Sequence, residues 1–266
     1  MTDRYAVIGN PIHHSKSPLI HSEFARQTQQ DISYEALLSP LDQFSQTVRS
    51  FQNQGGKGLN VTLPFKVEAF RLATQLTERA QLAQAVNTLR FCDNNEILGD
   101  NTDGAGLVHD IEVNQAVSIR NKKILLMGAG GAARGVILPL LMLDPNQLTI
   151  ANRTLDKAIE LQQQFAHFGN IRSASYQELA QEKFDIIINA TSASLANELP
   201  PLTPNVFVAQ TLAYDIMYGK QLTPFLQFAQ RNSVSHLVDG IGMLVEQAAE
   251  SFYLWRNIRP ETKTVI

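Results

Sequence analysis

The sequence predicts an α/β protein of two domains: an N-terminal α/β substrate domain with a mainly parallel sheet, and a Rossmann-like dinucleotide-binding domain. Three observations lead there. Residues 122–153 contain an apolar run (Lys123-Ile-Leu-Leu-Met127), a glycine turn (Gly128-Ala-Gly-Gly-Ala-Ala-Arg134) and a second strand closing on Asn152-Arg153-Thr154, the size of one βαβ unit. Strand and helix patterns alternate before and after it, which implies a mainly parallel sheet covered on both faces. At 266 residues the chain has the length of about two domains, each able to bury its own core.

In order, Tyr5-Ala-Val-Ile8 reads as a strand, and a helix opens at Ser17-Pro18 with Ser as N-cap and Pro at the first helical position. Residues 32–37 form a strand. Leu41, Phe44, Val48 and Phe51 recur at helical spacing, and Gly55-Gly56 ends that helix. Residues 58–61 are a third strand, followed by the turn Leu63-Pro64 and a helix from Val67. Segments 88–92 and 97–98 flank Asp93-Asn-Asn95 as a hairpin. A connecting helix covers 104–113. Later strands are expected at 148–151, 184–189, 206–208, 212–215 and 236–238, with Phe184-Asp-Ile-Ile-Ile-Asn189 apolar enough for a central strand. Pro200-Pro201 and Pro204 mark a loop. The helix over 241–255 (Leu244, Ala248, Phe252, Trp255) is expected to return to the first unit, giving domains of 1–101 plus 239–266 and of 102–238. Ligands of such open sheets bind at the carboxyl ends of the strands, here expected in the cleft between the units.

The glycine turn predicts a pyrophosphate seat. Gly128 permits the tight turn, Gly130 removes a side chain where backbone approaches phosphate, and Ala133 lets the helix lie close to the sheet. The free N–H groups at the helix start face the anion. An NAD-reading protein places Asp or Glu about 20 residues further on, to bind the ribose 2′-hydroxyl. Here the strand tip carries Asn152, Arg153 and Thr154, with Lys157 one turn later. Arg153 can fork onto a 2′-phosphate and stack on adenine, with Lys157 as a second cation, so NADP is favoured over NAD. The plainer alternative has Thr154 capping a helix and Arg153 as a solvated charge.

Composition excludes several classes. Net charge is −3, with 44% hydrophobic and 18% charged residues and no dense basic run, which argues against nucleic acid or an anionic membrane as partner. Cys92 is the single cysteine, so no internal disulfide forms, as suits a cytoplasmic protein. The six histidines show no metal-ligand spacing. No signal peptide and no membrane-length apolar run is evident.

Polar residues gather at strand ends in the first unit: Ser15, Ser17, Asn60, Thr62, Lys66, Asn87 and Asn101-Thr-Asp103. Each has an ordinary explanation. Ser17 and Asp103 can cap helices, Asn60 and Asn87 can form turns, and Lys66 can be solvated. Their joint placement beside a dinucleotide fingerprint points to a substrate site.

Gly9-Asn-Pro-Ile-His-His-Ser-Lys-Ser-Pro18, Asn60-Val-Thr-Leu-Pro-Phe-Lys66, Ala85-Val-Asn-Thr88, Gly99-Asp-Asn-Thr-Asp-Gly104, the glycine turn, Asn152-Arg-Thr154, Tyr214-Asp-Ile-Met-Tyr218 and Asp239-Gly-Ile-Gly-Met-Leu-Val-Glu-Gln247 resemble, in order and spacing, the shikimate dehydrogenase family. The resemblance spans nearly the whole chain. It departs after Asn189-Ala-Thr191, where Ser192-Ala-Ser-Leu195 replaces the family's glycine near the loop end.

The resemblance implies NADPH-dependent, reversible reduction of 3-dehydroshikimate to shikimate, in a monomer or homodimer. It implies Lys66 and Asp103 as the catalytic pair, and Ser15, Ser17, Asn60, Thr62, Lys66, Asn87, Asp103, Tyr218 and Gln247 as substrate-binding. On the cofactor side it brings Glu78, Gly128, Ala129, Gly130, Gly131, Ala132, Asn152, Arg153, Thr154, Lys157, Ile216 and Gly240. Ketone reduction asks for a proton at the developing alkoxide, which an ammonium at Lys66 can supply while Asp103 orients a substrate hydroxyl. Two alternatives stand beside this reading. One is a quinate/shikimate dehydrogenase using NAD or NADP, which Arg153 disfavours. The other is a non-catalytic nucleotide sensor, which has no use for the Lys66/Asp103 pair.

Overall fold

The computed structural model describes residues 2–191, 193 and 198–266. The chain divides into two compact units, Met1–Gly106 with Leu244–Ile266, and Leu107–Met243.

In the first unit the order is β1 (Asp3–Gly9), α1 (Ser17–Thr28), β2 (Ile32–Leu38), α2 (Phe44–Asn53), β3 (Gly56–Val61), α3 (Lys66–Leu72), β4 (Gln75–Leu76), α4 (Glu78–Ala83), β5 (Thr88–Phe91) and β6 (Ile97–Asp100). Helix α5 (Asp103–His109) leads into the second unit through a π-type turn over Asp110–Asn114. There the order is β7 (Lys123–Met127), α6 (Gly131–Leu141), β8 (Gln147–Ala151), α7 (Leu155–Phe165), β9 (Ile171–Ala174), β10 (Ile186–Asn189), β11 (Leu212–Asp215), α8 (Pro224–Arg231) and β12 (His236–Val238). Helix α9 (Ile241–Arg256) returns the chain to the first unit.

The first sheet is mixed, in the order β2-β1-β3-β5-β6-β4. β1 runs parallel to β2 and β3, and β4 to β6, while β5 is antiparallel to both neighbours. The predicted hairpin is β5–β6, whose turn uses Asn94 and Asn95 at positive φ, a conformation asparagine tolerates. The second sheet is wholly parallel, in the order β12-β11-β10-β7-β8-β9. Its central β7 and β10 carry Ile124, Leu125, Leu126, Ile186, Ile187 and Ile188 fully buried, as strands covered on both faces require.

α2 turns Phe44, Val48 and Phe51 into the first core, against Leu59, Phe65 and Leu89. α9 buries Val245, Ala248, Ala249 and Phe252 against Ile20 and Phe24 of α1, which explains why the C-terminal segment belongs with the first unit.

Several expectations need correction. Leu41 lies outside α2 and is exposed, because the helix starts only at Phe44. Of the residues expected as a strand at 206–208, Val206 closes a short 3-10 turn (Pro204–Val206), and none joins a sheet among the described residues. β9 and α8 were not anticipated, although Thr223 followed by Pro224 is a start signal; the Thr223 hydroxyl accepts from Leu226 N–H. Ser17 is not the N-cap of α1. Lys16 holds that position, and the Ser17 hydroxyl turns elsewhere. Thr154 occupies the N-cap of α7 without a side-chain capping bond. The unusual segment 192–195 lies outside the described residues except for Ala193.

Candidate active site

In the first unit, three strand ends deliver the polar residues to one place. α3 begins at Lys66, right after the Asn60-Val-Thr-Leu-Pro-Phe stretch that leaves β3. α5 begins at Asp103, three residues beyond β6. Lys66 Nζ donates to Asp103 Oδ2 at 2.6 Å, with side chains only 15% and 6% exposed. Asp103 Oδ1 accepts from Asn87 Nδ2 at 2.8 Å. The Asp103 carboxylate is thus spent on Lys66 and Asn87 rather than on capping its own helix.

Asn87 is a hub. Its Nδ2 also approaches Thr102 Oγ1 (2.9 Å) and Gln247 Oε1 (3.2 Å), and its Oδ1 accepts from the Thr102 N–H (2.9 Å) and Thr88 Oγ1 (2.9 Å). Gln247, brought in by α9, is therefore part of the group, and it is buried. Ser251, one turn further on, bonds to Thr88 Oγ1 at 2.7 Å and receives Asn60 Nδ2 at 2.9 Å. Asn60 is buried, and protein groups take up its whole amide. Oδ1 receives Tyr34 OH at 2.7 Å and faces His21 Nε2 at 3.1 Å, while Nδ2 also donates to Thr88 Oγ1 at 3.2 Å. At the far end, Ser15 Oγ donates to Ser17 Oγ at 3.2 Å. Thr62 is half-buried at the end of β3, its methyl group packed over Gly9, where a Cβ would stand 2.5 Å from Thr62 Cγ2.

Sequence reasoning missed the supports of this group. Arg79 clamps Asp100 through Nε–Oδ1 (2.7 Å) and Nη2–Oδ2 (2.5 Å), and Thr77 adds a bond of 2.6 Å. Burial works against the ionised Asp100, yet Arg79, Thr77 and the Asn101 N–H together hold its carboxyl below the usual range. That clamp fixes the loop presenting Asp103. The signal was present as Asp100 inside the Gly-Asp-Asn-Thr-Asp motif, but its partner 21 positions away was not readable. Burial drives the His21 imidazole down to about 3, opposed by its contact with Asn60, so the ring is neutral.

In the second unit Gly128 makes the tight turn expected of it. Gly128 has φ +112°, and a Cβ there would stand 2.9 Å from the Ala190 carbonyl oxygen, so only glycine fits without strain. A Cβ on Gly130, at the N-cap of α6, would meet nothing within 4 Å among the described residues. Ala129 and Ala133 are buried, which brings the helix start close to β7. At the tip of β8, Asn152 Nδ2 bonds to the Thr154 carbonyl at 2.8 Å, leaving Arg153, Thr154 and Lys157 exposed. Gly240 lies against Ile216, where a Cβ would stand 2.1 Å from its carbonyl oxygen. Asn189 and Asp215, joined at 3.1 Å, knit the ends of β10 and β11. Tyr218 is half-buried three residues beyond β11. Glu78, at the start of α4 in the first unit, is exposed.

A parallel sheet with a glycine turn opening a helix, in one chain with a shielded ammonium–carboxylate pair, defines the class as a dinucleotide-dependent oxidoreductase. Three family models match in order: the shikimate dehydrogenase substrate binding domain at residues 7–89, shikimate / quinate 5-dehydrogenase at 111–197, and the shikimate 5'-dehydrogenase C-terminal domain at 240–266. The shikimate dehydrogenase (NADP(+)) of Nitrosospira multiformis is 62% identical over 266 residues, covering 100% of this chain and 96% of its own. That of Nitrosomonas eutropha is 61% identical over 99% of this chain and 95% of its own. The crystal structure of shikimate 5-dehydrogenase from Thermus thermophilus in complex with NADP(H) and shikimate superposes with a TM-score of 0.88 at 29% identity, covering 98% of this chain and 96% of that one. The chain belongs to the shikimate dehydrogenase (NADP+) family and is an oxidoreductase. Among the described residues no group of three or more potential metal ligands occurs, and no helix is long and apolar enough to cross a membrane.

Proposed function

We propose that this chain catalyses the reversible NADPH-dependent reduction of 3-dehydroshikimate to shikimate, with Lys66 and Asp103 as the catalytic pair. The observation that carries the reading is their 2.6 Å contact, between side chains only 15% and 6% exposed in the first unit. NADPH supplies the hydride when bound. Lys66 stabilises the alkoxide that develops on the ring oxygen and passes it a proton, as a positioned ammonium can. Asp103 accepts a hydrogen bond from a ring hydroxyl while keeping the ammonium in place. Asn87 and Gln247, already in the same network, offer amide donors and acceptors to the remaining hydroxyls. Ser15 and Ser17 offer hydroxyls to the substrate carboxylate, with Thr62 and Tyr218 as further ligands. Asn60 is a further proposed substrate ligand, and its bonds to Tyr34, Ser251 and Thr88 also hold this arrangement.

The residues of the second unit suit NADP. The Gly128 turn and the open space at Gly130 leave the α6 N-terminus free to receive a pyrophosphate through residues 128–132. Exposed Arg153 and Lys157 suit a 2′-phosphate, beside Asn152 and Thr154. Ile216 and Gly240 follow the ends of β11 and β12, and Glu78 completes the residues we assign to the cofactor. Both catalytic side chains come from one chain, so the reading requires no second copy, and free Cys92 suits the reducing cytoplasm. Following absorbance at 340 nm with shikimate or quinate and NADP or NAD tests all of this. Turnover is expected with shikimate and NADP, and its absence overturns the proposal.

A further inference from the structure

We propose that Ser251 is a positioning residue for the substrate amides, its hydroxyl setting the donor–acceptor polarity of Asn60 from that of Asn87. The inference rests on the functional reading above and adds a residue that the site motifs do not contain.

Ser251 lies inside α9, one turn beyond Gln247, where the last motif segment ends. Its side chain is buried, as are Asn60, Thr88 and Thr102 around it. Oγ stands 2.9 Å from Asn60 Nδ2, 2.7 Å from Thr88 Oγ1, 3.2 Å from Thr102 Oγ1 and 3.0 Å from the Gln247 carbonyl oxygen. One hydroxyl of the returning helix therefore joins β3, β5 and the turn that precedes α5. Alanine would serve the helix itself better, so the hydroxyl has its use in these contacts.

An asparagine amide offers a donor or an acceptor according to which way it is turned, so its neighbours must choose. For Asn87 the choice is firm. The Thr102 N–H can only donate and meets Oδ1 at 2.9 Å, while the Asp103 carboxylate can only accept and meets Nδ2 at 2.8 Å. Thr88 then gives its single hydrogen to Asn87 Oδ1 at 2.9 Å, which leaves it an acceptor toward Ser251. Ser251 gives its own hydrogen to Thr88 at 2.7 Å or to the Gln247 carbonyl at 3.0 Å. In either case its oxygen has only lone pairs for Asn60, and these suit Nδ2 rather than Oδ1. The Asn87 carbonyl, 3.4 Å from Nδ2, sets the same orientation more weakly. Polarity fixed at Asp103 thus passes through Asn87, Thr88 and Ser251 to the second amide of the site.

The test is Ser251→Ala, which removes one oxygen and favours the helix, with Thr88→Val and the double variant alongside. Steady-state kinetics at 340 nm are expected to show KM for shikimate raised about threefold to tenfold, the effect of one lost hydrogen bond. The values of kcat and of KM for NADP should stay within about twofold, because Asp103 keeps its bonds to Lys66 and Asn87. In the Thr88→Val background the loss from Ser251→Ala should shrink to under about twofold, since the relay is already cut. An unchanged KM for shikimate, a fall in kcat as large as the rise in KM, a loss shared with NADP, or full additivity with Thr88→Val would each overturn the inference. A wild-type protein inactive on shikimate would instead remove the functional reading, and this inference with it.

Discussion

The ammonium of Lys66 and the carboxylate of Asp103 meet across 2.6 Å although 37 positions of chain separate them. They meet because α3 and α5 both begin at the ends of sheet strands, and each residue is the first of its helix. Lys66→Ala is therefore expected to lower kcat by about 10²- to 10⁴-fold, the usual worth of a positioned proton donor, with a much smaller change in KM for shikimate. Steady-state kinetics check this. A large rise in KM with kcat intact would place Lys66 in binding rather than in proton transfer.

Arg153 stands exposed just past the tip of β8. Arg153→Ala should weaken NADP binding by about 1–3 kcal/mol, as for a lost charge-assisted hydrogen bond, and leave NAD binding nearly unchanged. Titration with each dinucleotide gives the two affinities. Equal losses would show that Arg153 does not read the 2′-phosphate.

Gly128 and Gly130 should separate stability from cofactor binding. Gly128→Ala forces a side chain into φ +112° and against the Ala190 carbonyl, so a loss of about 1–3 kcal/mol in urea unfolding is expected. Gly130→Ala meets no atom of the described residues within 4 Å and should cost under about 1 kcal/mol, while raising the Kd for NADP. Similar stability losses in both variants would contradict this division of roles.

His21 predicts a pH-dependent stability. Its folded-state value lies near 3, against 6.5 for an ordinary histidine, so between those limits the unfolded chain binds a proton that the native protein refuses. Stability attached to this group is complete above pH 6.5 and falls as the pH drops toward 3, with a slope of at most about 1.4 kcal/mol per pH unit. His21→Gln should flatten the urea-midpoint profile between pH 6.5 and 5, a window chosen to precede carboxylate titration. An identical slope in the variant would mean that His21 charges freely in the native state.

The α/β class, the glycine turn, the hairpin at Asp93-Asn-Asn95 and the return of the last helix were legible in the chain, because each is written in local periodicity or in one turn residue. Boundaries shifted where competing bonds were invisible. Ser17 reads as an N-cap, yet its hydroxyl accepts from Ser15 Oγ instead. Residues 206–208 have strand-forming side chains, yet they find no strand to pair with. The short β9 and α8 were overlooked because few residues carry their pattern.

The candidate site divides in the same way. Motif residues such as Lys66, Asn87, Asp103 and Gln247 can be named from residue order alone, because their chemistry belongs to short contiguous segments. Tyr34, His21, Arg79 and Ser251 cannot, since each acts through a partner far away in the chain, as when Ser251 meets Asn60 across 191 positions. Periodicity and turn chemistry reach over a few neighbouring residues. Only folding the sheet, with α1 and α9 packed together, decides which distant donors and acceptors are left facing one another without water.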